Sequence, residues 1–233
     1  GLLMGACTVG LAYALPFLPG FKHHFSSRDH AASAQIAFRF NSFIGLALAE
    51  RLAGSPGLLL ISVLIGICVP MLNMAAVWPM ARHGKTGFMG ELLRNPFIIA
   101  TVSGLLANLM GFKFPDWIAP TVNRIGGASI PLGLMAAGAG MQFATLARAK
   151  TLAVSVLAIR HVISPLIGLS LSLLFKLSPV QATVLLMFSA LPTAPSAYVL
   201  AARMGFDGGY VAGLVTLSTL LGMLSLPYAL SLI

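Results

Sequence analysis

Apolar residues fill this chain in long runs, and the short stretches between them carry nearly all of its charge. Eight runs can be marked, over residues 1–18, 31–52, 58–80, 96–112, 118–142, 151–175, 180–203 and 209–233. A helix crossing a bilayer needs about 20 predominantly apolar residues. The pattern therefore predicts an all-α polytopic membrane protein with about eight transmembrane helices and no soluble domain beside them. Pro16, Pro19 and Gly20 end the first run, and the polar, cationic FKHHFSSRDH follows as a loop. ARHGKTGFMGELLRNP is a second loop, with Glu91, Arg94 and Asn95 marking the next helix start, and KFPDW is a turn that places Trp117 as an interfacial anchor.

Two runs break the apolar pattern at their centres. The second carries Gln35, Arg39, Asn41 and Ser42, then Gly45, and polar groups at that depth are costly in lipid. The seventh, VQATVLLMFSALPTAPSAYVLAAR, carries Pro192 and Pro195, with Thr193 and Ala194 between them and Ser196 after. Proline has no N–H and cannot continue a helix undisturbed. The backbone groups so freed must face protein, a cavity or a ligand, because lipid offers them nothing. The break therefore predicts a binding site. Half-helix N-termini at such a gap present bare N–H groups that suit a carboxylate. Asn73 in the third run and Ser129 in the fifth are further candidates for lining it. Arg160 and His161 in the sixth are candidates for balancing an anionic charge, with snorkelling and helix–helix hydrogen bonding as the alternatives. The pairs Gly133–Ala137 and Ala136–Gly140 are small residues four apart that let helices approach closely.

The two odd runs are also related. LAERLAGSPG, Leu48 to Gly57, aligns with LAARMGFDGG, Leu200 to Gly209, and at that offset Asn41 falls opposite Thr193. Paired discontinuous helices from two repeats, meeting near the midplane, are the architecture of many secondary transporters. Completing the earlier repeat requires two more helices before residue 1, hence ten spans as five plus five in opposite orientation. The chain also opens inside an apolar run, without Met or a basic leader, and reads as a segment of something longer.

Composition narrows the classes. A mean hydropathy of +0.95, with 58% hydrophobic and 8% charged residues, excludes a water-soluble globule. The net charge of +9 is scattered between runs, which reads as topology and not as a nucleic-acid surface. Nine basic residues fall on one side (Lys22, Arg28, Arg39, Arg82, Lys85, Arg94, Arg148, Lys150 and Arg203) and four on the other (Arg51, Lys113, Arg124 and Lys176), which puts the first side in the cytoplasm and both chain ends outward. Cys7 and Cys68 have no metal-ligand spacing, and no metal or cofactor is implied. The five acids, Asp29, Glu50, Glu91, Asp116 and Asp207, lie in loops or at span ends. No buried carboxylate offers itself to a proton or cation, although carbonyls, Asn and Thr could hold sodium, so coupling to Na+ or H+ stays open. An intramembrane enzyme would need a nucleophile with a base, or a metal cluster, and ranks last.

The runs FSALPTAPSAYVLAARMG and GLVTLSTLLGMLSLP, with RNPFIIATVSGLLANLMG and IGGASIPLGLMAAGAGM before them, resemble the auxin efflux carrier family, to which PIN-type auxin exporters and malonate transporters belong. The resemblance extends from Phe38 onward. It implies two inverted five-helix repeats, helices four and nine broken and crossing at the substrate site, a scaffold and a mobile transport domain, and similarity to the bile-acid sodium symporter fold. Residues 1–80 would then be the remainder of the first repeat, 81–95 a cytoplasmic linker and 96–233 the second repeat. Where the family usually has Asn-Thr-Gly, this chain has Asn41, Ser42, Phe43, Ile44 and Gly45, and Asn41 and Gly45 carry over. The expectation is a secondary transporter of a small organic anion, a mono- or dicarboxylate, in a bacterial inner membrane, working by alternating access. A sodium-coupled bile-acid-type symporter is the alternative, and a homodimer is open.

Overall fold

The computed structural model describes residues 1–18, 26–83, 88–93, 96–139 and 149–232. Every regular element in that range is helical: α1 (Leu2–Ala14), α2 (Ser27–Ser33), α3 (Gln35–Phe38), α4 (Ser42–His83), α5 (Phe88–Leu93), α6 (Pro96–Leu109), α7 (Ala119–Ala139), α8 (Lys150–Ala158), α9 (Ser164–Leu174), α10 (Pro179–Ala190), α11 (Ser196–Arg203) and α12 (Gly208–Leu230). A 3-10 turn, Leu15–Phe17, extends α1, and a wide π turn, Ile159–Ile163, joins α8 to α9. Among the described residues three helical stretches are long and apolar enough to cross a bilayer: Ser27–His83, Lys150–Leu174 and Gly208–Leu230. Outside the described residues lie the loop at 19–25 with Lys22, residues 84–87 with Lys85, Arg94 and Asn95, and the stretch 140–148 with Gln142 and Arg148. The side chains of Glu91 and of the Gly133–Ala137 and Ala136–Gly140 pairs lie outside them too.

Local chemistry explains where the helices start and bend. Ser26 caps α2 by accepting from the Asp29 N–H at 3.0 Å, and helix therefore begins at Ser27, inside the stretch expected to be loop. Ser178 and Gln181 cap α10 reciprocally, with Pro179 at its first position. Asp207 caps α12 through the Tyr210 N–H at 2.9 Å. Pro165 has no N–H to bond back along its helix, and its ring would crowd the carbonyl one turn earlier. The π turn immediately before it absorbs that mismatch.

From Ser42 onward the second run continues into the third as one helical stretch, α4, with a single interruption, where a loop of several residues was expected. Gly54 takes φ +59°, a left-handed conformation that costs glycine nothing. The two halves fold back on each other: a Cβ at Gly45 would lie 3.7 Å from Ile61 Cγ1, although sixteen residues separate them. Gly57 completes the turn, since a Cβ there would stand 2.4 Å from that of Ala53 and 2.8 Å from the Ala49 carbonyl.

The buried core is built from α1–α4 and α8–α12. Among the described residues, none of 88–139 belongs to it. Helices α6 and α7 pack chiefly on α4 and leave Leu106, Leu109, Ile125, Leu132 and Met135 exposed, as lipid-facing side chains are. The body that holds the two odd centres is thus made from the two ends of the chain.

Candidate functional site at the crossing of two interrupted helices

Both odd centres are breaks, and they meet. Helix α3 ends at Phe38 and the chain runs non-helically through Arg39, Phe40 and Asn41 before α4. Helix α10 ends at Ala190 and the chain leaves helix from Leu191 to Ala194 before α11. The preceding helices end at the same offset as the aligned LAERLAGSPG and LAARMGFDGG segments. The breaks are tied directly: the Asn41 N–H donates to the Pro192 carbonyl at 2.8 Å, and Thr193 Oγ1 donates to the Ile36 carbonyl at 2.7 Å. The Phe40 ring stands edge-on to Phe188, with centroids 4.5 Å apart.

At the second break the groups that the prolines free are bonded by neighbouring helices. In an uninterrupted helix the Phe188 and Leu191 carbonyls would accept from residues 192 and 195, and both are proline. Arg160 supplies the missing donors, Nε to Leu191 at 2.6 Å and Nη2 to Phe188 at 3.3 Å. The Ser189 carbonyl accepts from Ser164 Oγ at 2.9 Å, and the Thr193 N–H donates to Ser218 Oγ at 2.9 Å. His161 bridges to helix α12, with Nε2 2.8 Å from Ser218 Oγ and Nδ1 2.8 Å from Ser225 Oγ. Ser218 also donates to Thr193 Oγ1 at 3.2 Å. With that donation His161 Nε2 carries the hydrogen toward Ser218 and Nδ1 accepts from Ser225, a neutral tautomer that leaves each hydroxyl matched. Gly222 admits the Pro192 ring, because a Cβ there would lie 3.3 Å from it.

The first break opens onto a cavity of about 370 Å³. Arg39, Asn41, Ser42 and Asn73 line it from one side of the crossing, and Ala194, Pro195, Ser196 and Tyr198 from the other. Phe40, Phe43, Ile65, Val69, Leu72 and Val199 give it an apolar wall. Asn41 Oδ1 caps α4 by accepting from the Phe43 and Ile44 N–H groups at 3.1 and 3.3 Å. Its Nδ2 and that of Asn73 are buried without a hydrogen-bond partner among the described residues. Arg39, 6% exposed, donates from Nη1 to Gln35 Oε1 at 2.9 Å and from Nη2 to Ser196 Oγ at 2.7 Å. No Asp or Glu lines the cavity, and no group of three or more His, Cys, Asp or Glu that could hold a metal occurs among the described residues.

The structure thus brings Asn41, Ser42, Asn73, Ala194, Pro195 and Ser196 together at one cavity. Pro192 and Thr193 lie behind it, holding the breaks to each other. Gly45 also lies behind it, where a Cβ would meet Leu191 Cδ1 at 3.0 Å. Arg160 and His161 do not reach the cavity, because their polar atoms are engaged by the second break and by α12. Ser129 is an exposed residue of α7 that donates to its own helix at Gly126. Arg39, counted from the sequence as a topological charge on the cytoplasmic side, is a buried cation on the cavity wall. Its signal was present: an arginine two positions before Asn41, inside an apolar run.

A cavity at the meeting of two interrupted helices, in an all-α bundle with membrane-crossing segments, is the arrangement of many membrane transporters. Residues 79–230 match the family model described as membrane transport protein. The chain belongs to that family, the family of the auxin efflux carriers. It is also similar to an uncharacterized transporter of Methanothermobacter thermautotrophicus, 25% identical over 207 residues covering 87% of this chain and 67% of the relative. A second uncharacterized transporter, from Methanocaldococcus jannaschii, is 24% identical over 221 residues, covering 90% of this chain and 71% of that one. Transport, and not catalysis, is what these relationships establish.

Proposed function

We propose that this transporter carries a small organic anion, a mono- or dicarboxylate, by alternating access about the crossing of the α3–α4 and α10–α11 breaks. The observation that supports this reading is the chemistry of the cavity: Arg39, Asn41 and Asn73 line it, the two amide nitrogens are buried without a hydrogen-bond partner among the described residues, and no carboxylate is among the lining residues. Donors without acceptors suit an anionic guest, since each buried N–H left unmatched is a cost that a carboxylate oxygen removes. The apolar wall of Phe40, Phe43 and Val199 fits the hydrocarbon part of such an acid.

The assembly of the body supports alternating access. The breaks are bonded to each other, while α6 and α7 pack outside the core, so the crossing can move as a unit against them. In this reading residues 1–80 and 96–233 belong to two repeats joined by a cytoplasmic linker at 81–95, in a plasma membrane. Full-length protein in proteoliposomes, offered labelled acetate, butyrate, malonate and succinate with and without Na+ and a pH gradient, tests the proposal. Saturable flux of at least one acid, lost in the Asn41→Ala/Thr193→Ala double variant, is the expected result. Absence of saturable flux for all four, or full flux in the double variant, refutes it. Strict Na+ dependence would assign the coupling ion.

A further inference from the structure

Two arginines are buried in the body, and their surroundings differ in one respect that matters for the cargo. Arg160 is 1% exposed, and its guanidinium closes on backbone carbonyls that have no other donor. Among the described residues Arg39 bonds neutral side-chain acceptors alone, the Gln35 amide and the Ser196 hydroxyl, and it lines the cavity. A guanidinium binds a carboxylate more strongly than a hydroxyl, through two parallel N–H···O bonds. A buried cation without an anion is also an expensive arrangement. Asn41 and Asn73 line the same cavity, and each buries an amide nitrogen that has no hydrogen-bond partner among the described residues.

We infer that Arg39 is the counter-ion of the transported anion, with the Asn41 and Asn73 amides as a second point of contact for another oxygen of the same molecule. This rests on the anion-carrier reading above. In this arrangement a cargo carboxylate takes over Nη2 from Ser196 Oγ. Gln35 is a positioning residue: its Oε1 holds Nη1, while its Nε2 donates to Ala32 at 3.0 Å and to Ala197, on the opposite arm, at 3.2 Å. Ser196 is the first residue of α11, so cargo binding exchanges a bond between the two interrupted helices for bonds to the cargo. Occupancy of the site is thereby transmitted to the relation between the arms.

The test measures binding of malonate and of its neutral isostere malonamide to purified full-length protein by calorimetry. The wild type should prefer malonate. Arg39→Gln should weaken malonate binding about tenfold or more while leaving malonamide within about twofold, a loss of charge preference that mere loosening of the fold would not produce. Arg39→Lys keeps the charge but not the fork and should fall between them. Asn73→Leu should weaken malonate by about threefold to tenfold. Unchanged malonate affinity in Arg39→Gln, with flux in the wild type intact, overturns the assignment of Arg39 and leaves the carrier reading standing. If Arg39→Gln does not fold, wild-type affinity in Arg39→Lys overturns it equally. A wild type that neither binds nor transports any of the tested acids removes both proposals.

Discussion

After Phe38 the chain leaves helix with an arginine and an asparagine. After Ala190 it leaves helix with two prolines and a threonine. Among the described residues the first break keeps a donor to spare: Asn41 Nδ2 has no partner there, and the side chains that hold Arg39 are neutral. At the second break the groups that the prolines free are engaged by neighbouring helices. Its proline-orphaned carbonyls are taken by Arg160, its threonine N–H by Ser218 and its threonine hydroxyl by the Ile36 carbonyl. A broken helix within a membrane can therefore serve two ends: exposing polar groups to a guest, or spending them to fix the place where the guest binds. In this chain the division follows the arms. The unpartnered Asn41 amide and the Arg39 cation lie on the first, and the prolines with the carbonyls bonded by Arg160 lie on the second.

The largest expected effect comes from removing what satisfies the second break. Arg160→Ala leaves the Phe188 and Leu191 carbonyls buried with no donor, since residues 192 and 195 cannot supply one. Two charge-assisted bonds in such a site correspond to about 3 kcal/mol or more. Thermal unfolding of the full-length protein in detergent should show a large fall in midpoint, compared with a modest one for Arg39→Gln. Equal falls would erase the distinction between the two arginines. A smaller loss is expected at Gly168, where a Cβ would stand 2.8 Å from both Cβ and Oγ of Ser189, just before the second break. Gly168→Ala should destabilise by about 1–3 kcal/mol through overpacking, read in the same unfolding measurement, with malonate affinity of the folded fraction unchanged. A drop in affinity as large as that of Arg39→Gln would show that the second arm also carries recognition.

The sequence made some of this readable and hid the rest for a physical reason. The spans were legible because crossing a bilayer imposes a length and an apolarity that few residues can evade. Both interruptions were legible too, since Pro192 and Pro195 act on their own backbone and the polar group Gln35, Arg39, Asn41 and Ser42 stands inside an apolar run. Even the need for foreign donors near Phe188 and Leu191 could be counted from the positions of the prolines. The identity of the donor could not, because Arg160 meets Leu191 across thirty-one residues, and chain order does not encode which of several polar side chains will face it. Arg39 was hidden for a related reason. A cation near a run boundary reads as topology until the break at Phe38 turns it inward. Gly54 escaped notice because one left-handed glycine does what a loop usually does.

The smallest effect on stability carries the most informative sign. Asn73 projects from the second half of α4, 3% exposed, and its Nδ2 has no hydrogen-bond partner among the described residues. A purely structural amide would be expected to bond, and removing it would cost stability. An amide kept for a guest imposes its cost while the site is empty, and an apolar replacement of similar volume relieves that cost. Asn73→Leu should therefore leave the cargo-free protein as stable as the wild type or more stable, by up to about 1 kcal/mol, while malonate stabilises it less. Unfolding midpoints with and without saturating malonate separate the two contributions. If the variant is less stable than wild type without malonate and gains as much from it, Asn73 belongs with Thr193 among the groups that hold the crossing together, and the cavity's second contact falls to Asn41 alone.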